Sequence, residues 1–327
     1  MYILGIDTSC DDTAASVVNE DGRIVSNVVS SQNEIHVKYG GIVPELASRR
    51  HIEMIWPVVD EALKGAGIGL DDIAAVAVCQ GPGLIGSLLV GVSFAKSLCY
   101  VRGIPLIAVN HLEGHILAPF LTEDKPSFPF IALIVSGGHT HLYRADDFGV
   151  YKELGRTRDD AAGEAYDKVA KLLGLPYPGG PVIDQQAKSG NPQAIAFPRA
   201  YLNDSLDFSF SGLKTAVLNH VKAHGLSIAD IAASFQAAVI DVLIKKVDRA
   251  VKQEKIREVV VSGGVAANSQ LREDCAHYGK KNGIRVIFPP RFLCTDNAAM
   301  IGVAGLHWFE KKAFASLILN PKAYLPL

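Results

Sequence analysis

A chain of 327 residues, 49% of them hydrophobic, can bury two cores of ordinary size, so two domains are expected. A formal charge of −2 gives no global basic field, which excludes indiscriminate capture of nucleic acid and leaves local patches or a helper protein for any RNA contact. The five cysteines (Cys10, Cys79, Cys99, Cys275 and Cys294) are odd in number and lack CxxC spacing, which argues for a reducing compartment and against a zinc–thiolate site.

The first half opens with three strand patterns, residues 2–7, 14–19 and 23–30, with Glu20-Asp21-Gly22 as the turn between the last two. No basic n-region or apolar signal stretch is present, and a cytoplasmic location is expected. A helix is predicted over 44–64, with Pro44 in its first turn and Gly65 ending it. Strand 73–79 and helix 84–100 follow. The stretch 84–101 is the most apolar of the chain, but Ser87, Ser93, Lys96 and Ser97 interrupt it, so it reads as a buried helix and not a membrane span.

Strand 106–109 then leads into Asn110-His111-Leu112-Glu113-Gly114-His115. If this opens a helix, both imidazoles lie on one face, a common way to offer two nitrogen ligands to a metal. The helix-start dipole disfavours protonation and keeps them neutral, as ligands must be. The zinc-protease motif is excluded, because Glu113 does not directly follow the first His and lies about 200° around the helix from it. Asn110 suits an N-cap and Glu113 the N3 place of a capping-box variant. Taken alone, the pair fits ligands and structural polar residues equally.

The second half repeats the order: strands 130–136, 140–145 and 150–154, a helix over 161–173, a Gly/Pro-rich insertion at 176–226, and a long helix at 228–252. Strand 259–262, helix 267–280, strand 285–288 and helix 297–311 complete it. Alternating strands and helices imply α/β layers with a mostly parallel sheet. The duplication resembles the actin, sugar-kinase and Hsp70 ATPase (ASKHA) superfamily, which implies two mixed-sheet domains flanking a nucleotide cleft. The expected halves are 1–121, with the last helix (297–327) packing back on it, and 128–296.

Three turns could hold a ligand. Residues 5–13, Gly-Ile-Asp-Thr-Ser-Cys-Asp-Asp-Thr, suit phosphate or metal-water contacts, or form an ordinary polar hairpin. Ser136-Gly137-Gly138-His139 occupies the same place in the second half, and paired glycines let backbone N–H groups approach a phosphate. His139 and His141 share a strand face and suit hydrogen bonding better than metal ligation. Residues 262–268 allow a planar base against backbone, with Asn268 able to bond ribose or base. Gly81-Pro82-Gly83-Leu84-Ile85-Gly86 formally matches GxGxxG. Asn110-His111 stands where a dinucleotide site needs an acid, so these glycines read as close helix packing.

Asp296 precedes the last helix and could be a plain cap. In a duplicated fold, however, loops after corresponding strands face each other. Asp296 follows strand 285–288 as His111 follows strand 106–109. His111, His115 and Asp296 could thus converge on one metal with positions left open, a pattern that also suits iron(II).

Together the stretches 5–13, 41–51, 80–86, 110–115, 135–140, 159–168, 177–184, 208–214, 262–268 and 295–299 closely resemble the tRNA N6-adenosine threonylcarbamoyltransferases, the TsaD family, formerly called O-sialoglycoprotein endopeptidases or glycoproteases. Asp7 stands where many bacterial members carry glutamate, which keeps the charge. The resemblance implies that His111, His115 and Asp296 bind iron(II), with zinc as the alternative. It implies that Ile134, Val135, Ser136, Gly137 and Gly138 hold the phosphate and acyl part of the substrate. Asp167, Gly180, Asp184 and Asn268 would hold the adenosine part. Asp11, as an electrostatic or proton-handling group, and His139 are the catalytic candidates. Asp160 and Glu164, near Asp167, read as first-turn capping and solvation.

The implied reaction moves a threonylcarbamoyl group from threonylcarbamoyl-AMP to the N6 amine of adenosine 37 in tRNAs reading codons that begin with A. The implied partners are tRNA, a smaller paralogous ASKHA protein (TsaB-like) and a P-loop ATPase (TsaE-like), with no membrane. The basic cluster Lys245-Lys246-Arg249-Lys252 reads first as a solvated helix face. The rivals are a kinase or ATPase of the same superfold, a metallopeptidase, and a non-catalytic scaffold. Sugar kinases do not need the two helix histidines, the position of Glu113 disfavours the peptidase, and a scaffold has no use for an open metal site.

Overall fold

The computed structural model describes residues 1–202, 205–224 and 227–327, so 203–204 and 225–226 of the expected 176–226 insertion lie outside the described residues. The chain forms two units, one from Met1–Lys125 with Thr295–Leu327, the other from Pro126–Cys294. The expected boundary at 296 falls instead between Cys294 and Thr295, which puts Asp296 in the same unit as both histidines.

The first unit has β1 (Tyr2–Asp7), β2 (Asp12–Asn19) and β3 (Ile24–Ser31), then a short α1 (Asn33–His36) and the long α2 (Pro44–Ala66). β4 (Ile73–Gly81), α3 (Ile85–Arg102), β5 (Leu106–Asn110) and α4 (His111–Leu117) follow. The sheet order is β3-β2-β1-β4-β5, with β1 antiparallel to β2 and parallel to β4. β4 reads Ile-Ala-Ala-Val-Ala-Val because a central parallel strand is covered on both faces. One face packs Leu4, Ile6, Val17, Val76 and Val78 against Val59 of α2 and Val92 of α3.

The second unit repeats the plan with β6 (Phe130–Val135), β7 (Thr140–Asp147), β8 (Val150–Arg156), α5 (Ala162–Leu172), α6 (Gly179–Ala187), α7 (Ser211–His224) and α8 (Ile228–Glu254). β9 (Glu258–Ser262), α9 (Ser269–Asn282), β10 (Arg285–Ile287) and α10 (Arg291–Cys294) complete it. Its sheet order is β10-β9-β6-β7-β8, the first sheet's order strand for strand. The last helix, α11 (Ala298–Glu310), belongs to the first unit and covers its other face, against β1, β2, β4, β5 and α4. Gly5 makes this approach feasible, because a Cβ there would strike the backbone of Ala298 and Gly302.

Two expectations need correction. The helix expected to end at Gly65 runs to Ala66 and stops at Gly67, whose left-handed φ of 68° lets its N–H reach Leu63 O and Lys64 O. The 176–226 stretch carries helices α6 and α7. The sheets are mixed, as the duplicated order implied, since each opens with two antiparallel pairings, which the alternation of strands and helices alone would not have shown. By length and composition α3 could cross a membrane; here it packs on α2 and β4 and buries Leu88, Val92, Ala95 and Cys99.

Candidate active site

β5 delivers Asn110 as the N-cap of α4, and its Oδ1 accepts from Leu112 N at 2.8 Å. The other end of that amide donates to Leu325 O at 3.0 Å, so the C-terminal segment fixes the capping group. One helical turn then stacks the two histidines edge to face, with ring centroids 4.7 Å apart. Glu113, expected in a capping box, is buried and accepts from Trp308 Nε1 at 2.9 Å, which ties α4 to α11.

Asp296 arrives from the segment before α11. Its Oδ1 lies 3.3 Å from His115 Nε2 and 3.5 Å from His111 Nε2. Capping of α11 falls to Asn297, whose Oδ1 accepts from Met300 N, so Asp296 is not a cap. His115 is wholly buried; among the described residues Nδ1 has no hydrogen-bond partner, and Nε2 faces Asp296 without the geometry of a full hydrogen bond. Burying such groups unsatisfied is costly, and a cation at the shared point would satisfy Nε2. Two imidazole nitrogens and a carboxylate oxygen fit a divalent metal of the iron(II) or zinc type with coordination positions left open.

The electrostatics support a neutral His115 but correct the expectation that both histidines stay neutral, because the carboxylates beside His111 favour its protonated form until a cation replaces that proton. Burial lowers the His115 pKa and favours the neutral ligand form. Burial acts likewise on His111, but Asp296 and Asp7 outweigh it and hold its pKa well above the ordinary value. Burial would raise Asp296, yet the two histidines hold it well below the usual carboxylate range. Asp11 is raised by burial and by Asp296, and Asp12 is pushed up to about 7 by burial, Asp11 and Asp296. Carboxylates that resist ionising together mark a place where a cation is favoured.

The 5–13 turn is anchored from several sides. Asp7 Oδ1 accepts from Ser9 N, Leu84 N donates to Ser9 O, and Thr8 Oγ1 donates to Ser87 O. His51 of α2, fully buried, bonds Thr13 Oγ1 through Nδ1 at 2.8 Å and Cys10 O through Nε2 at 3.0 Å. The role of His51 was missed by sequence reading, although its place on the buried Ala47–His51–Ile55 stripe was a signal.

In the second unit, Ser136 N donates to His139 O at 2.8 Å and Ser136 Oγ accepts from His139 N at 3.1 Å, which leaves Gly137 and Gly138 exposed at the tip. Ile134 and Val135 are wholly buried in β6, so only their backbone could meet a ligand. Asp167 Oδ1 accepts from Gly179 N at 2.7 Å, beside Gly180, and Asp184 accepts from Ser269 N and Oγ. Asn268 caps α9 through Leu271 N and donates to Gln236 Oε1 at 2.6 Å. Asp184 and Asn268 are thus drawn together at the start of α9, and Asp167 with Gly180 at the start of α6. Gln236 had no local signal. The 245–252 cluster is no continuous basic face: Lys246 is buried, donating to Tyr201 O and Ser205 O, and Lys252 pairs with Asp248.

The family model described as TsaD, tRNA N6-adenosine threonylcarbamoyltransferase, matches residues 23–303. A protein of Thermodesulfovibrio yellowstonii bearing that name is 60% identical over the whole of both chains. The chain belongs to the tRNA N6-adenosine threonylcarbamoyltransferase family. A threonylcarbamoyltransferase of an Anaeromyxobacter species is 55% identical over 98% of each chain. Among solved structures, component A of (R)-2-hydroxyglutaryl-CoA dehydratase from Acidaminococcus fermentans superposes with a TM-score of 0.59 at 16% identity, over 96% of this chain and 99% of that one. Full-length HypF in its phosphate- and nucleotide-bound form gives 0.64 at 15% identity, over 96% of this chain and 56% of that one. These likenesses establish the ASKHA-type fold. Within the threonylcarbamoyltransferase family, the matched span takes in both histidines and Asp296, while Asp7 and Asp11 lie ahead of it.

Proposed function

We propose that this chain transfers the threonylcarbamoyl group of threonylcarbamoyl-AMP to N6 of adenosine 37 in tRNAs reading codons that begin with A, releasing AMP. The observation that carries the reading is the convergence of His111, His115 and Asp296 on one point in a member of this family. The three residues would hold iron(II), or zinc in its place. When bound, such an ion supplies a Lewis acid that offsets negative charge on the donor.

The chain's own groups account for the rest. Gly137 and Gly138 are exposed, and nothing stands within 4 Å of where a side chain would begin, so a donor phosphate could approach their backbone N–H groups. Asp167, Gly180, Asp184 and Asn268 would orient the adenosine part. The N6 amine attacks the carbamoyl carbon, the bond from that carbon to the phosphate oxygen breaks, and AMP leaves. The amine must shed a proton, and Asp11 Oδ, with its pKa raised by burial and by Asp296, is suited to take it. His139, half-buried at the foot of the Ser136 turn, would donate a hydrogen bond to the donor. A loop adenosine is easily splayed from its stack, which suits this target. A cytoplasmic setting, a TsaB-like paralogue and a TsaE-like ATPase belong to the same reading.

The test is mass spectrometry of nucleosides from unmodified tRNA incubated with the protein, those partners and threonylcarbamoyl-AMP. A threonylcarbamoyladenosine peak that vanishes with His115→Ala is expected. No such peak, together with hydrolysis of added ATP by this chain in the absence of the partner ATPase, would replace the reading with a kinase-like ATPase.

A further inference from the structure

A second cluster adjoins the histidine pair. Asp7 at the end of β1, Cys79 in β4 and His111 bring one ligand-type atom each within 4.8 Å of one another, all buried. Asp7 is 1% exposed, and its two oxygens are used differently. Oδ1 accepts from Ser9 N at 2.8 Å, which fixes the plane of the carboxylate. Oδ2 then lies 3.3 Å from His111 Nδ1, close enough to pair though not yet in hydrogen-bond geometry, the same relation as between Asp296 Oδ1 and His115 Nε2. The opposite nitrogen of that ring, Nε2, is the one that faces Asp296 and His115.

We propose that Asp7 is a positioning residue: it accepts from Nδ1–H of His111, fixing that ring's tautomer and rotation so that the Nε2 lone pair points at the place shared with His115 Nε2 and Asp296 Oδ1. This rests on the metal-binding reading given above. An imidazole offers each nitrogen once. If Nε2 is to bind a cation, Nδ1 must carry the remaining proton, and a buried N–H needs an acceptor. Asp7 supplies one whose charge also makes Nε2 more basic. The alternative, a second ion held by Asp7, Cys79 and Nδ1, requires His111 to give up its last ring proton and bridge two cations.

The experiment measures zinc stoichiometry and affinity by competition with a chromophoric chelator. Histidine 15N–1H spectra of the zinc-loaded protein are recorded alongside. One ion per chain is expected, with His111 carrying its proton on Nδ1 and its metal on Nε2. Asp7→Asn is nearly the same shape and keeps an oxygen for Ser9 N. It should bind zinc about tenfold to a hundredfold more weakly, with the Nδ1–H signal of His111 shifted or lost. Asp7→Glu restores the charge and should recover most of the affinity, while Cys79→Ser should change little. Wild-type affinity in Asp7→Asn with an unchanged His111 signal overturns the proposal. Two ions per chain, one of them lost in both Asp7→Asn and Cys79→Ser, overturns it in favour of a ligand role. His115→Ala separates the two levels. If that variant keeps its zinc, the metal-binding reading itself fails; if it loses zinc while Asp7→Asn does not, only the positioning role fails.

Discussion

Asp296 and Asn297 are neighbours with divided tasks: Asn297 Oδ1 caps α11 by accepting from Met300 N at 3.1 Å, which leaves Asp296 Oδ1 3.3 Å from His115 Nε2. Substitutions at the two positions should therefore separate helix capping from ligand binding. Asn297→Ala loses the cap and should cost about 1 kcal/mol, a fall of roughly 2–4 °C in Tm by calorimetry. Asp296→Asn keeps the cap but loses the attraction of the two histidines, and it should abolish tight zinc binding, whereas Asn297→Ala should keep it. Equal loss of zinc in both variants would contradict the division.

His51 joins α2 to the 5–13 turn through two hydrogen bonds from one buried ring. His51→Ala leaves a cavity and strands Thr13 Oγ1 and Cys10 O, so a loss of about 2–4 kcal/mol is expected in urea unfolding. Since Asp11 and Asp12 lie between the two pinned residues, transfer activity should fall further than the lost stability explains.

His141 governs an acid-sensitive contribution to stability. Burial, with the charge of Arg156 adding to it, lowers its pKa to about 4 from 6.5. Between those values the unfolded chain binds a proton that the folded chain refuses. Stability therefore falls as pH drops from 6.5 towards 4 and is fully present above 6.5, a change of about 3 kcal/mol at most for this group. The Gln variant, His141→Gln, cannot titrate. Its unfolding free energy, followed by urea titration at steps across that window, should decline less steeply than the wild type's.

Gly5→Ala places a methyl group against the backbone of Ala298 and Gly302, where nothing can rotate aside. A cost of about 1–3 kcal/mol or more is expected, read as a lowered urea midpoint. Gly302→Ala meets mainly the Val18 side chain and should cost less.

Local periodicity carried much of what the sequence revealed. Two histidines four residues apart share a helix face wherever a helix forms, and the order of strands and helices sufficed for the duplicated sheet. Long-range pairings left no such trace. Nothing near Asp7 announces that it meets His111 at 3.3 Å, since the partner opens α4, about a hundred residues further along the chain. The start of α6 falls inside the stretch expected to be a Gly/Pro-rich insertion, because Gly179-Gly180-Pro181 carries turn residues. In the structure these occupy the first helical turn, where proline's missing N–H costs no hydrogen bond. Asn268 drew notice as a group able to bond ribose or base, but its cap of α9 and its bond to Gln236 required the fold to be seen.

The return of α11 to the first sheet sets an order of events during synthesis. Residues 298–310 cover one face of β1, β2, β4 and β5, yet the ribosome makes them only after the whole of the second unit. The second unit is contiguous and can fold as it emerges, while the five strands made first wait with one apolar face uncovered. His111 and His115 likewise wait for Asp296, so the nascent chain cannot assemble the three-residue ligand set until its final tenth is made, and a stalled or truncated product would expose a sticky sheet without gaining a competent site.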